Sequence, residues 1–78
     1  MDDRLVIQKL IQDLLQKKGD ARRFSDMDLL FTNGRLSSAD ALDVVVVLEE
    51  KYGLDFSEGF DRDQIDSVAN ILALIGQR

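Results

Sequence analysis

Residues 33–54 read NGRLSSADALDVVVVLEEKYGL, a turn followed by a mostly apolar segment that carries several carboxylates. Ser37 and Ser38 suit a helix start, because a serine oxygen can accept a hydrogen bond from the unpaired amides of the first turn. Asp40 lies three residues after Ser37, where it resembles the acidic member of a capping box and opposes the positive end of the helix dipole. The stretch therefore predicts a helix that starts at these serines and is ended by Gly53.

The four consecutive valines at residues 44–47 conflict locally with this prediction, since β-branched residues favour strands over helices. The helical spacing of the surrounding residues decides against a strand, and its members are Leu42, Val45, Val46, Glu49 and Tyr52. Val44 and Val47 would flank that stripe, so we expect this helix to be the most buried element. If these two valines are exposed instead, they form an apolar patch for partner docking.

The composition limits the chemistry that the chain can perform. Its 78 residues predict a single domain, residues 1–78, that is too small to enclose a deep active-site cleft. The chain contains no cysteine and no histidine, so it lacks disulfides, the usual zinc ligands and the usual general base. We therefore expect neither an enzyme nor a metal site.

The charge is negative overall and unevenly distributed. A net charge of -5 argues against nucleic acid binding, which requires a basic face. Residues 1–23 hold six Lys or Arg against four Asp, whereas residues 24–78 hold four against eleven acids. The acidic part includes the predicted central helix, which suggests partners with basic surfaces. Because the first residues contain no long apolar run, we expect no signal peptide and no membrane insertion, and we predict a cytoplasmic monomer.

A first helix is predicted ahead of this region. Asp2 or Asp3 can cap it, Lys17 and Lys18 suit its C-terminal dipole, and Gly19 suits its end. Its apolar positions approximate one stripe at helical spacing: Leu5, Ile7, Leu10, Ile11, Leu14 and Leu15.

Residues 19–36 predict a long packed loop with one short helical turn. Its apolar members are expected to lie over the core, and they are Phe24, Met27, Leu29, Leu30 and Phe31. Asn33-Gly34 is also a hairpin signal, but the flanking residues do not alternate, so a simple turn is favoured.

The C-terminal part predicts two more helices. Asp61-Arg62-Asp63-Gln64 predicts a short helix that ends near Ile65, and Asp66 or Ser67 can cap a final helix that Gly76 ends. The apolar positions of that final helix are Val68, Ile71, Leu72, Leu74 and Ile75. The spacing of the acids does not match a calcium loop, so solvated helix caps explain them better. The expected fold is an all-α up-and-down bundle of three longer helices plus one short helix.

The central stretch resembles the phosphopantetheine-bearing acyl carrier proteins, in which a turn with Asp-Gly precedes Leu-Asp-Ser-Leu. The matching residues here are Asn33, Gly34, Arg35, Leu36, Ser37, Ser38 and Ala39, followed by the acidic helix that closes in LEEKYG at residues 48–53. Ser38 aligns with the family's modified serine, while Ser37 replaces Asp and Ala39 replaces Leu. The resemblance continues to Ile75 and so covers nearly the whole chain.

The resemblance implies that Ser38 carries a phosphopantetheine arm and that the protein presents an acyl or aminoacyl thioester during fatty acid or secondary metabolite biosynthesis. The implied partners are a phosphopantetheinyl transferase and acyl- or aminoacyl-loading and acyl-processing enzymes with basic patches. The expected docking residues are Ala39, Asp40, Asp43, Val44, Val47, Glu49 and Glu50.

A serine at a helix start is by default only a cap, and the residues on both sides of Ser38 depart from the family. The alternative is therefore an interaction module that has the carrier fold without the prosthetic group.

Overall fold

The computed structural model describes residues 2–77, in which every regular element is helical. Helix α1 spans Asp3–Lys17, α2 spans Ser38–Tyr52 and α3 spans Val68–Gly76. A single 3₁₀ turn at Arg62–Ile65 takes the place of the expected short helix. The all-α class with three longer helices is thus confirmed. None of the helices between residues 2 and 77 is long and apolar enough to cross a membrane.

Local signals decide where the helices begin and end. Asp2 caps α1, Ser37 caps α2 and Ser67 caps α3, in each case with a side-chain oxygen that accepts a first-turn backbone N–H. Gly53 ends α2 in the left-handed conformation, at φ 67°. The predicted start and end of α2 are therefore confirmed, and its valines are helical.

One hydrophobic cluster joins the helices, the loop before α2 and the 3₁₀ turn. Helix α1 packs against α3, and the 3₁₀ turn packs against both α3 and α2. The buried apolar residues are Ile7, Ile11, Leu14, Leu15, Leu30, Phe31, Leu36, Ala41, Val44, Val45, Leu48, Ile65, Val68, Ile71 and Ile75. This core places the N-terminus of α2 beside the C-terminal third of the chain.

The buried face of α2 differs from the predicted one. Ala41, Val44, Val45 and Leu48 are buried, at the i, i+3, i+4 and i+7 spacing of one helix face. Leu42 and Val46, which were expected in the buried stripe, are 61% and 48% exposed. Since the apolar residues run almost all round α2, the spacing alone permits more than one face, and the packing of the 3₁₀ turn and the other helices selects it.

Similar corrections apply to α1 and to the loop. Leu5 was expected in the core but is 60% exposed, because at 3.6 residues per turn it lies away from the face of α1 that Ile7, Ile11, Leu14 and Leu15 bury. In the loop, Leu30 and Phe31 are buried as expected, whereas Met27 is 72% exposed and Leu29 is also exposed. The loop contains no helix, but it does contain the expected helical turn, in which the backbone N–H of Asn33 donates to the carbonyl of Leu29 at 2.9 Å.

The residues Asn33 and Gly34 lie in a turn, and Gly34 has a φ of 84°. No strand occurs within residues 2–77, so the simple turn is confirmed over the hairpin.

Candidate functional site around Ser38

Ser37 and Ser38 have different environments although they are neighbours. The backbone N–H of Ser37 donates to Asp40 Oδ2 at 2.8 Å, and Ser37 Oγ accepts from the backbone N–H of Asp40 at 3.4 Å. These two bonds form a capping box, which turns the Ser37 hydroxyl onto the helix. Ser38 is the exposed first residue of α2, and its hydroxyl makes no hydrogen bond within the described part of the chain. Of the two, only the Ser38 hydroxyl is free for modification.

The carboxylate of Asp40 is bound by other residues of the chain. Its Oδ2 also receives the Lys18 ammonium at 2.8 Å, which ties the end of α1 to the start of α2. Burial acts to raise the pKa of Asp40, but hydrogen bonds from Lys18 and Ser37 outweigh it and hold the pKa below its ordinary value. The carboxylate is therefore ionised near neutral pH, and its charge is already paired.

The outer face of α2 combines acids with apolar side chains. Asp43, Glu49 and Glu50 are exposed, as are Leu42 and Val46. At 3.6 residues per turn, Leu42 and Val46 lie between Glu49 on one side and Asp43 and Glu50 on the other. This set of five residues is called the α2 outer face below. Ala39, also exposed, lies on the same side one turn before Asp43.

The structure corrects the apolar part of the expected docking surface. Val44 is 0% exposed and cannot contact a partner, because its side chain fills the core beneath α2. Val47 is half-buried and lines a groove toward α1 with Leu5, Val6 and Leu10. The apolar residues that α2 does expose are Leu42 and Val46, which the sequence pattern had assigned to the core.

A cleft of about 420 Å³ lies beside Ser38, between the first turns of α2 and the 3₁₀ turn. Its lining residues are Ser38, Ala41, Leu42, Phe60 and Arg62. Sequence reasoning did not single out Phe60 or Arg62 as site residues. The sequence shows a cation between two acids at Asp61-Arg62-Asp63, but only the fold places Arg62 in the same cleft as Ser38.

Two other carboxylates form structural contacts. The guanidinium groups of Arg22 and Arg35 donate hydrogen bonds to Asp20, and these bonds hold the pKa of Asp20 well below the ordinary range. The Arg22 bond has the larger effect. Burial acts to raise the pKa of Asp66, but hydrogen bonds from Thr32 and Phe31 and the charge of Arg62 lower it. Neither acid is poised for proton transfer near neutral pH.

The acids near the C-terminus were expected to be solvated helix caps, and this is wrong for Asp66, which is buried and accepts hydrogen bonds from the loop, while Ser67 caps α3. The Asp61 side chain accepts the backbone N–H of Asp63 at 3.1 Å and caps the 3₁₀ turn. Within residues 2–77, no group of three or more acidic side chains is arranged to hold a metal ion.

Comparison with known proteins identifies no relative: no family model matches the chain, and neither a curated protein nor a solved structure does.

Proposed function

We propose that this protein is an acyl carrier that bears a phosphopantetheine arm on Ser38. The observation that carries the proposal is the contrast between the two serines at the start of α2. Ser37 is engaged as the cap, whereas Ser38 presents an exposed hydroxyl with no hydrogen bond within residues 2–77. The first turn of a helix also offers free amides and a positive dipole end to a phosphodiester. In this proposal the three helices and the 3₁₀ turn correspond to the up-and-down bundle of a carrier protein.

The modification is a transfer from coenzyme A. Ser38 Oγ forms a bond to the phosphorus that bears the pantetheine, and the P–O bond to the other phosphate breaks. The leaving group is adenosine 3′,5′-bisphosphate, and the hydroxyl proton passes to a base of the transferase. The arm then ends in a thiol, which carries the acyl or aminoacyl group as a thioester. The carrier catalyses none of these steps and supplies a tether that raises the effective concentration of its cargo.

The α2 outer face supports the docking part of the proposal. Its exposed acids, Asp43, Glu49 and Glu50, suit basic patches on a phosphopantetheinyl transferase and on acyl- or aminoacyl-loading and acyl-processing enzymes. Leu42 and Val46 add exposed apolar area between those acids. In this proposal the protein acts as a cytoplasmic monomer that meets each partner briefly.

A second candidate function is an interaction module that uses the same α2 outer face without an arm. The observation that favours it is the pair of residues beside Ser38. Ser37 supplies a neutral oxygen where the family has a carboxylate, and Ala39 is exposed but offers only a methyl group to a transferase.

Intact mass distinguishes the two functions. The parent, Ser37→Ala, Ser38→Ala and Ala39→Leu are incubated with coenzyme A and with transferases of broad and host origin. We expect the parent and Ser37→Ala to gain one phosphopantetheine, Ser38→Ala to gain none, and Ala39→Leu to load faster. A folded parent that no transferase modifies, even with Ala39→Leu, would favour the armless module. Modification of Ser38→Ala would show that the attachment residue is wrong.

A further inference from the structure

The cleft beside Ser38 has the chemistry of a site for an anion joined to an apolar group. Ala41, Leu42 and Phe60 supply its apolar surface, and none of the described residues that line it is acidic. The Phe60 ring packs edge-on against Phe56 with centroids 6.0 Å apart, which braces one wall. Ser38 lies at the same cleft, so a group attached to its hydroxyl begins within reach of these side chains.

Among the residues that the structure describes, 2–77, Arg62 is the one cation in the cleft lining, and it forms no salt bridge with any of them. Five other basic residues of the described chain do pair with aspartates: Arg4, Lys9, Lys18, Arg22 and Arg35. The charge of Arg62 contributes to lowering the pKa of Asp66, but the carboxylate oxygens of Asp66 accept hydrogen bonds from Phe31 and Thr32 and form no salt bridge with Arg62. The guanidinium of Arg62 is therefore exposed and available to an incoming anion.

The proximal part of a phosphopantetheine arm matches this lining. Its phosphodiester carries one negative charge, and a guanidinium can donate two parallel hydrogen bonds to phosphate oxygens. The next group along the arm is a gem-dimethyl carbon, which is apolar and compact. The order of groups from Ser38 outward, anion and then apolar branch, suits a cleft with Arg62 beside Leu42 and Phe60.

We propose that Arg62 is a positioning residue that binds the phosphodiester on Ser38 and directs the adjacent gem-dimethyl group against Leu42 and Phe60. This inference rests on the proposed modification of Ser38. It adds a defined starting direction for the arm, so that the 3₁₀ turn, and not α2 alone, determines how the cargo is presented. Loading itself does not require Arg62, because a cation on the carrier repels partners with basic patches and so cannot assist their docking.

The test compares loaded proteins that differ at one cation. The parent, Arg62→Gln, Arg62→Lys and Lys51→Gln are loaded with phosphopantetheine, and intact mass confirms the modification. Lys51→Gln is the matched control, since Lys51 is an exposed cation at the far end of α2 and has no salt bridge to another described residue. Amide spectra of the unloaded proteins confirm that each variant is folded. Isotope-filtered NMR then detects contacts between the arm's methyl groups and the side chains of Leu42 and Phe60, and ³¹P NMR reports on the phosphodiester.

We expect these contacts in the loaded parent and in Lys51→Gln. In Arg62→Gln the contacts should be lost and the ³¹P signal should shift. In Arg62→Lys the contacts should partly return. Loss of a cation should not slow loading in Arg62→Gln or Lys51→Gln, because the transferase docks through basic patches. A loaded parent without the contacts, or an Arg62→Gln that keeps them, would overturn this inference and leave the proposed function intact. A folded parent that accepts no arm would overturn both.

Discussion

The carboxylate of Asp66 accepts hydrogen bonds from the backbone N–H and the hydroxyl of Thr32, which lies 34 residues earlier in the chain. The backbone N–H of Phe31 donates to the same carboxylate at 2.8 Å, and the N–H of Leu30 donates to the Asp66 carbonyl at 2.8 Å. One buried residue therefore fixes the long loop against the start of α3, close to the 3₁₀ turn that lines the Ser38 cleft.

Replacement of Asp66 should be strongly destabilising. Asp66→Ala leaves the buried N–H of Phe31 without its acceptor, which costs about 1–3 kcal/mol, and also removes the partly buried hydrogen bonds from Thr32. We expect a loss of about 3 kcal/mol in the free energy of unfolding, measured by urea denaturation. Asp63→Ala is the matched control, since Asp63 is exposed and lies three residues away. Equal stability of the two variants would contradict this role of Asp66.

Substitutions at the two serines at the start of α2 should differ in their effect on stability: Ser37 stabilises the helix as its cap, whereas Ser38 does not. Ser37→Ala removes the capping oxygen and should cost about 1 kcal/mol, whereas Ser38→Ala should leave stability within about 0.5 kcal/mol. Ser37→Asp would place a second carboxylate beside Asp40, because Ser37 Oγ lies 3.1 Å from Asp40 Oδ2. We therefore expect Ser37→Asp to be less stable than Ser37→Thr in urea unfolding. If Ser37→Ala unfolds like the parent, the cap does not stabilise α2.

The valines of α2 offer a test of which face is buried. Val44→Ala removes fully buried methyl groups and should lower stability by about 2 kcal/mol, whereas Val46→Ala should change it by no more than about 0.5 kcal/mol. Both changes replace valine with alanine in the same helix, so the difference reports burial and not helix propensity. Thermal unfolding of Val44→Ala and Val46→Ala measures this difference in stability. A larger loss in Val46→Ala would mean that α2 packs with the opposite face.

Docking to a basic transferase should depend on the acids of the α2 outer face. Asp43→Lys and Glu50→Lys should each slow loading of Ser38, and added salt should slow loading of the parent, since exposed charges are screened within about 10 Å at 0.1 M salt. Glu58→Lys is the control, because Glu58 is an exposed acid outside α2. The measurement is the rate of mass gain under matched conditions. Equal slowing by all three variants would indicate a general effect of net charge and not a docking face.

Acid should destabilise the fold through the ion pairs of the long loop. Hydrogen bonds from Arg22 and Arg35 hold the pKa of Asp20 below that of an aspartate in the unfolded chain, about 3.9. A lowered pKa in the folded state contributes stability above about pH 3.9, and this contribution is lost as the pH falls further toward the folded value. Urea unfolding between pH 7 and pH 2 should therefore show a smaller loss of stability in Asp20→Asn and in Arg35→Gln than in the parent. The same pH dependence in all three proteins would contradict the assignment.

Short-range signals in the sequence were sufficient to predict where the three α-helices lie and which residues cap or end them. The Ser37 cap, the Gly53 end and the Ser67 cap each act on atoms within one helical turn, so they can be identified without knowledge of the fold. The same local reasoning placed a serine cap at residues 37–38, and the structure assigns the cap to Ser37 and leaves Ser38 exposed. It also predicted that the valines of α2 are helical, because burial of one face outweighs their weak preference for strands.

The tertiary structure decided which atoms meet across the chain. A helix that is apolar nearly all round does not define its own buried face, so only the packing of the 3₁₀ turn and the neighbouring helices places Val44 inside and Leu42 and Val46 outside. The same packing makes Asp66 a buried acceptor and brings Arg62 to the cleft beside Ser38. These contacts join residues far apart in sequence, and their energies depend on burial and distance, which no local pattern encodes.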